Sequence, residues 1–333
     1  MRAVVVDEFG APNSATVQDV SQPTIKDDEV LVEVHAAAQN FVDLLVIEGK
    51  YQFLPPRPFI PGKGPAGIVR KKGAAVTHLE IGDRVLAMAE QGGYAQQVAV
   101  GAEQCYRLPD SMTYVEAASM SLGFDTAWFA LRERGRLTKG DVVLVLGASG
   151  AVGLAAVQLA KAMGAKKVLA GLSSRRREQE LLDAGADAVI DLSVDNLRDN
   201  LREQVYEVND GQGADIVVDM VGGDVFDAAI RAVAWSGRMV IVGFAGGRIP
   251  SVRANYLLVK NIEATGLQIS DYRVRRPDLV AQCFKEVFGF YEQGLVKAMP
   301  ATTLALDEFA KGLEMIQNRT APGRMVLLPQ SDD

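Results

Sequence analysis

The residues with the clearest chemistry lie mid-chain, at Gly147-Ala148-Ser149-Gly150-Ala151-Val152-Gly153. Three glycines spaced G-x-x-G-x-x-G follow the apolar run Val142–Leu146 and precede an amphipathic stretch. A strand entering and a helix leaving such a turn make an anion site. Small residues let the backbone approach a pyrophosphate, while the helix N–H groups and dipole face its charge. Gly147, Ser149, Gly150, Ala151, Val152 and Gly153 are the candidate phosphate contacts, and Gly153 also permits close helix–strand packing. A tight turn without a ligand would use the same glycines, but six strands alternating with helices around it favour a dinucleotide.

The choice of dinucleotide rests on a second segment, Ala170-Gly171-Leu172-Ser173-Ser174-Arg175-Arg176-Arg177. NAD sites usually place an acid here for the ribose 2′-hydroxyl, yet no acid precedes Glu178. Two hydroxyls and three guanidiniums suit a 2′-phosphate. A basic first turn opposes the helix dipole, which a bound anion would relieve. The expected cofactor is therefore NADP(H), with Ser173, Ser174 and Arg177 on the phosphate and Arg175 or Arg176 facing water. The competing reading is a solvated basic helix start.

Composition narrows the remaining chemistry. The 333 residues carry 35 Lys+Arg against 42 Asp+Glu, a net charge of −7, which disfavours nucleic acid as the main partner. Only two Cys (Cys105, Cys283) and two His (His35, His78) are present, none at metal-ligand spacing, so neither a zinc site nor a disulfide framework is expected. Both Cys read as buried small hydrophobes, His35 as a core or turn residue and His78 as surface. The start, MRAVVVDEFG, does not read as a signal peptide. The uncharged stretch Val142–Ala160 is long enough for a bilayer but splits into strand, turn and helix. No membrane partner and a cytoplasmic location are expected.

The elements that must position these residues fall into two patterns. Up to about residue 120 the chain reads as short strands (Ala3–Val6, Glu29–His35, Gly67–Lys71, Arg84–Met88, Tyr94–Val100) with one helix at Asn40–Glu48, a small antiparallel barrel or sandwich. A capping box, Thr113-Tyr-Val-Glu116, then opens a helix, followed by a helical run Gly123–Arg134. Strands Val142–Leu146, Lys167–Gly171, Ala188–Asp191, Asp215–Met220, Arg238–Gly243 and Asn261–Leu267 alternate with helices Ala151–Met163, Arg175–Asp183, Asn196–Val208 and Val225–Ala234. Continuous apolar strands in that alternation imply a parallel sheet covered on both faces. Helices Asp278–Gln293 and Leu306–Asn318 and a strand Met325–Leu328 complete the chain. The fold class is α/β, a Rossmann-type doubly wound sheet over 123–294 and a β-rich domain over 1–122 and 295–333.

With MRAVVV at the start, GASGAVG centrally and this domain order, the chain resembles the medium-chain dehydrogenase/reductase superfamily over essentially its whole length, and within it the zinc-free quinone oxidoreductase (ζ-crystallin-like) branch. The β-rich domain would then be GroES-like and catalytic. Where zinc-dependent members carry a Cys and a Gly-His-Glu segment, this chain has Asn40 and Gly62-Lys63-Gly64, and the four-Cys lobe is missing. The resemblance implies that Gln39-Asn40-x-x-Asp43 and Gly49-Lys50-Tyr51 line the substrate cleft and that Thr126 and Arg324 lie near the nicotinamide. It also implies that Val242-Gly243-Phe244 and Gln268-Ile269-Ser270 border the cofactor. Many relatives have Tyr or His near the adenine ribose phosphate where this chain has Leu192.

Without a Lewis acid, alcohol dehydrogenation is disfavoured and electrophiles that accept hydride readily become the expected substrates: quinones first, then enones, alkenals or enoyl thioesters. Tyr51 is the candidate donor to the developing oxyanion, unless it serves only as an aromatic rim. Asn40 would hold the substrate oxygen or the nicotinamide ribose, and could also cap its helix. Asp43 reads as structural. An NADPH-binding sensor or crystallin-like protein is the reading from outside catalysis. Relatives in this branch pair through the last strand of the dinucleotide domain, which implies a homodimer through Asn261–Leu267, with Tyr256–Val259 adding apolar surface.

Overall fold

The computed structural model describes residues 1–331, and they form two compact units: Met1–Leu122 with the chain from Ala298 onward, and Gly123–Lys297. In the first unit, β1 (Arg2–Val5) pairs antiparallel with β2 (Thr16–Asp19). The long strand β3 (Glu29–Ala38) leads into α1 (Phe41–Ile47), and then come β4 (Ala66–Lys72), β5 (Arg84–Ala87), β6 (Gln97–Gly101) and β7 (Cys105–Arg107). The expected capping box is in place at α2 (Tyr114–Met120): the Thr113 hydroxyl accepts from the Glu116 backbone N–H at 3.2 Å, and Glu116 accepts from the Thr113 N–H at 2.9 Å.

The second unit opens with α3 (Gly123–Trp128), which runs on as a π-helical turn at Phe129–Arg134. Strands and helices then alternate: β8 (Val142–Leu146), α4 (Ala151–Ala162), β9 (Lys167–Leu172), α5 (Glu178–Asp183), β10 (Ala188–Asp191), α6 (Leu197–Val208) and β11 (Ala214–Asp219). They continue through α7 (Gly223–Ala229), β12 (Val233–Ile241), α8 (Ala254–Lys260), β13 (Glu263–Gly266), α9 (Ile269–Arg275) and α10 (Pro277–Glu292). The six strands make one fully parallel sheet ordered β10-β9-β8-β11-β12-β13. This is the doubly wound order, and its switch point falls between β8 and β11, where ligands of such sheets bind. Every residue of β8 is buried, as a strand covered on both faces must be.

From there the chain goes back to the first unit through β14 (Ala301–Ala305), α11 (Phe309–Gln317) and β15 (Arg324–Leu328). Strand β15 pairs antiparallel with β3, giving a sheet path β14-β15-β3-β4-β5-β7 with β6 also on β3. The core of this unit gathers Val30, Val32 and Val34 of β3 with Leu44 and Ile47 of α1 and Leu313 of α11.

Two local expectations are corrected. The helix expected to reach Ala234 stops at Ala229, and Val233 and Ala234 start β12 instead. Pairing of Val233 with Ala214 overrides the helix propensity of this Ala-rich run, and Gly213 permits the close approach, since a Cβ there would lie 2.5 Å from the Ala232 carbonyl. The apolar run Tyr256–Val259, expected only as surface beside a strand, lies on the unforeseen helix α8, which buries no residue.

Candidate functional site

Strand β8 delivers the chain to Gly147, whose φ of +75° is left-handed backbone that glycine adopts without strain. The N–H groups of Gly147 and Ala148 donate to the Gly171 carbonyl at 3.1 and 3.2 Å, tying the turn to the end of β9. Gly150 is the N-cap of α4, so Ala151, Val152 and Gly153 supply the first-turn N–H groups that no helix satisfies internally. A Cβ on Gly153 would sit 2.3 Å from the Gly147 carbonyl and 2.6 Å from the Ala148 Cα, which explains the third glycine as a packing requirement. A Cβ on Gly150 would meet only the Gly147 carbonyl, at 3.5 Å, so this face of the turn is open for a ligand. The turn fits a pyrophosphate.

Arg177 is bound to this turn. Its Nη1 donates to the Ser149 carbonyl at 2.7 Å, while Nε and Nη2 hold Glu180 at 2.5 and 2.6 Å. The basic segment thus lies beside the glycines, as a site spanning pyrophosphate and ribose phosphate requires. Ser173 and Ser174 are exposed, and Ser174 caps the short turn Arg175–Arg177. Arg175 pairs with Glu178 at 3.4 Å. Leu192 is buried in the apolar core and packs within 3.2 Å of the Cβ position of Gly171, so it offers shape rather than polarity.

Across the switch point, β11 ends in a residue that sequence reasoning missed. Asp219 is fully buried, and its carboxylate accepts from the N–H groups of Val221 and Gly222 at 2.8 and 3.0 Å. Burial raises its pKa, and those N–H bonds oppose the rise. Its carbonyl accepts from the N–H of Val242 at 2.8 Å and of Gly243 at 3.3 Å, which fixes the segment ending in the exposed Phe244. The available signal was an acid closing an apolar strand just before Gly222-Gly223.

Thr126 and the 268–270 segment are joined through a buried ion pair. Asp125 takes the Thr126 N–H on one oxygen at 2.6 Å and Arg273 on the other at 2.6 Å, with both side chains almost fully buried. Arg273 lies on α9, which Gln268 caps by accepting from the Ser270 N–H at 3.3 Å, with Ile269 buried.

In the first unit a second polar cluster forms. Asn40 precedes α1, and the Asp43 carboxylate accepts from its backbone N–H at 2.8 Å, from its side-chain amide at 3.2 Å and from the Tyr94 hydroxyl at 2.8 Å. The amide also donates to the Ala38 carbonyl at 3.1 Å, and its oxygen accepts from Arg324 at 2.8 Å. Both amide hydrogens of Asn40 are therefore engaged, and Asn40 and Asp43 form a capping box at the start of α1. Burial raises the Asp43 pKa, against the opposing pull of Lys63, Tyr94 and Asn40. Arg324 is buried, its Nε has no hydrogen-bond partner, and burial draws its pKa down. Tyr51 is half-buried and stacks edge-on to Phe53. His35 is half-buried against Tyr114, and His78 is partly exposed. Cys105 and Cys283 are free and buried; burial lifts the Cys105 thiol to about 12. Among the described residues, no three His, Cys, Asp or Glu side chains converge so as to hold a metal ion. No helix among them is long and apolar enough to cross a membrane.

Comparison with known proteins follows these two units. Residues 26–110 match the alcohol dehydrogenase GroES-like domain, and residues 151–285 match the family described as zinc-binding dehydrogenase. The chain is 35% identical to a quinone oxidoreductase-like protein 2 homolog of Nematostella vectensis, covering 98% of this chain and 88% of the relative. It is 30% identical to the quinone oxidoreductase of Sus scrofa, covering 98% of each. Among solved structures it is similar to Escherichia coli quinone oxidoreductase complexed with NADPH: TM-score 0.89, 26% identity, 99% of this chain and 100% of the other.

Proposed function

The chain belongs to the medium-chain dehydrogenase/reductase superfamily, in its quinone-oxidoreductase-like branch, and on that premise we propose that it is an NADPH-dependent, zinc-independent reductase of quinones. The observation that carries this reading is the glycine turn at the sheet's switch point with Arg177 bound to its Ser149 carbonyl. Gly147, Ser149, Gly150, Ala151, Val152 and Gly153 hold the pyrophosphate. Ser173, Ser174 and Arg177 hold the 2′-phosphate, with Leu192 packing beside them. Thr126, Val242-Gly243-Phe244 and Gln268-Ile269-Ser270 border the nicotinamide. NADPH, when bound, supplies the hydride.

The protein's own contribution is orientation and charge. The oxygen of the electrophile gains negative charge as hydride arrives, and the Tyr51 hydroxyl donates to it. Asn40 holds the substrate oxygen or the nicotinamide ribose, and Arg324 fixes the orientation of its amide. Zinc independence is supported by Asn40 and Lys63 standing where zinc-dependent members carry ligands. Two buried free thiols fit a reducing compartment, and we place the protein in the cytoplasm. Steady-state oxidation of NADPH against quinones, enones and enoyl thioesters tests the substrate class. The expected result is the highest kcat/KM with quinones. A clear preference for enones or thioesters would replace this substrate, and tight NADPH binding with no turnover on any of them would make the protein a sensor.

A homodimer belongs to the same proposal. β13 is an edge strand, and Leu258 and Val259 on the preceding α8 are 79% and 75% exposed. Antiparallel pairing of β13 with its copy would join two sheets about a two-fold axis and cover that edge. Light scattering at micromolar concentration should give twice the chain mass. Ala264→Pro, which removes a ladder N–H, should shift the mass towards the monomer. A monomeric wild type, or a dimer indifferent to the proline, would count against the pairing.

A further inference from the structure

Lys63 is an expensive residue where it stands. Its side chain is 4% exposed, and its charge acts on the buried Asp43 carboxyl as well as on Glu90. The Lys63 ammonium donates to the Glu90 carboxylate and, at 3.1 Å, to the Glu90 carbonyl. That carboxylate is 38% exposed, so solvent screens the pair and it adds little stability, whereas removing an ammonium from water costs several kcal/mol. A methionine would fill the same space without that cost, and would also remove the charge that offsets the buried Asp43 carboxyl.

The backbone on either side of this lysine is tightly constrained. Gly62 and Gly64 flank it with φ of +99° and +62°. A Cβ on Gly62 would lie 2.3 Å from the Tyr94 ring, and one on Gly64 would lie 2.9 Å from Ser121 Cβ. Backbone bonds pin the turn on both sides, from Gly93 N–H to the Gly62 carbonyl and from Gly64 N–H to the Ala89 carbonyl, at 2.9 and 3.1 Å. A rigid turn therefore fixes where this buried charge sits. Besides Glu90 and Asp43, the charge faces Tyr51: the Lys63 nitrogen lies 6.0 Å from the centre of its ring.

We propose that Lys63 is a positioning residue for the reduction, a fixed cation behind Tyr51 that offsets the oxyanion formed when the electrophile accepts hydride. This rests on the reductase reading above. In the net reaction the quinone gains two electrons and one hydrogen as hydride and one proton from solvent, giving the hydroquinone and NADP⁺. Lys63 contributes charge only, and the Glu90 backbone carbonyl holds the ammonium in place.

The test uses the full-length enzyme, NADPH and a series of substituted 1,4-benzoquinones whose hydroquinones differ in acidity. Lys63→Met should lower kcat roughly 10- to 100-fold with the NADPH dissociation constant unchanged within two-fold. The loss should grow as the product oxyanion becomes more basic, a trend that a structural defect would not produce. Lys63→Arg should recover most of kcat. Glu90→Gln, which leaves the carbonyl contact in place, should give a kcat at least equal to the wild type and serves if the methionine variant fails to fold. Equal kcat in Lys63→Met and wild type, or a Glu90→Gln loss as large as that of Lys63→Met, would overturn the role while leaving the reductase reading intact. Absence of turnover by the wild type would overturn both.

Discussion

Asp125→Ala should destabilise the second unit by about 3–5 kcal/mol, because it leaves the Arg273 guanidinium buried without its carboxylate. The same change frees the Thr126 N–H, so NADPH affinity should fall with stability. Urea unfolding followed by fluorescence of the buried Trp128, three residues along the same helix, reads the first effect directly. Replacing both partners, Asp125→Leu with Arg273→Met, should recover most of the stability, since an apolar pair removes the uncompensated charge. A single variant that loses under about 1 kcal/mol would show that the pair is not structural.

The second large effect is one of selectivity. Arg177→Ala should weaken NADPH binding by the worth of one charge-assisted contact, about 1.5–3 kcal/mol or roughly 10- to 150-fold, and leave NADH nearly unchanged. Arg177 is 27% exposed and already shared with Glu180, so added salt should shrink the difference. Isothermal titration with both cofactors checks it. Equal loss for NADPH and NADH would assign Arg177 to holding the Ser149 turn instead.

The parallel sheet was legible because β8, β9, β10 and β11 are short, mostly apolar runs, a signal that needs no partner to be read, although β12 and β13 carry polar and charged positions. The glycine turn was legible for the same reason: Gly147, Gly150 and Gly153 act within seven residues. The polar cluster of the first unit was not, because Asn40 meets Arg324 across 284 positions and Asp43 meets Tyr94 across 51. Spacing says nothing about such pairs; only the antiparallel pairing of β15 on β3 brings Arg324 to Asn40. Strands β2, β7 and β14 escaped notice because each is three to five residues long and carries polar or charged positions. Helices α8 and α9 bury too few residues to imprint a period.

Single-turnover mixing tests the central proposal most directly. Protein freed of metal by chelation, with zinc quantified in the same sample, is loaded with NADPH and mixed with a quinone while absorbance at 340 nm is followed. The expected result is full oxidation of the bound NADPH at a rate unaffected by chelation, and a much slower reaction when NADH is used at the same concentration. Oxidation that vanishes on removal of zinc and returns on its addition, or a faster reaction with NADH, would contradict it.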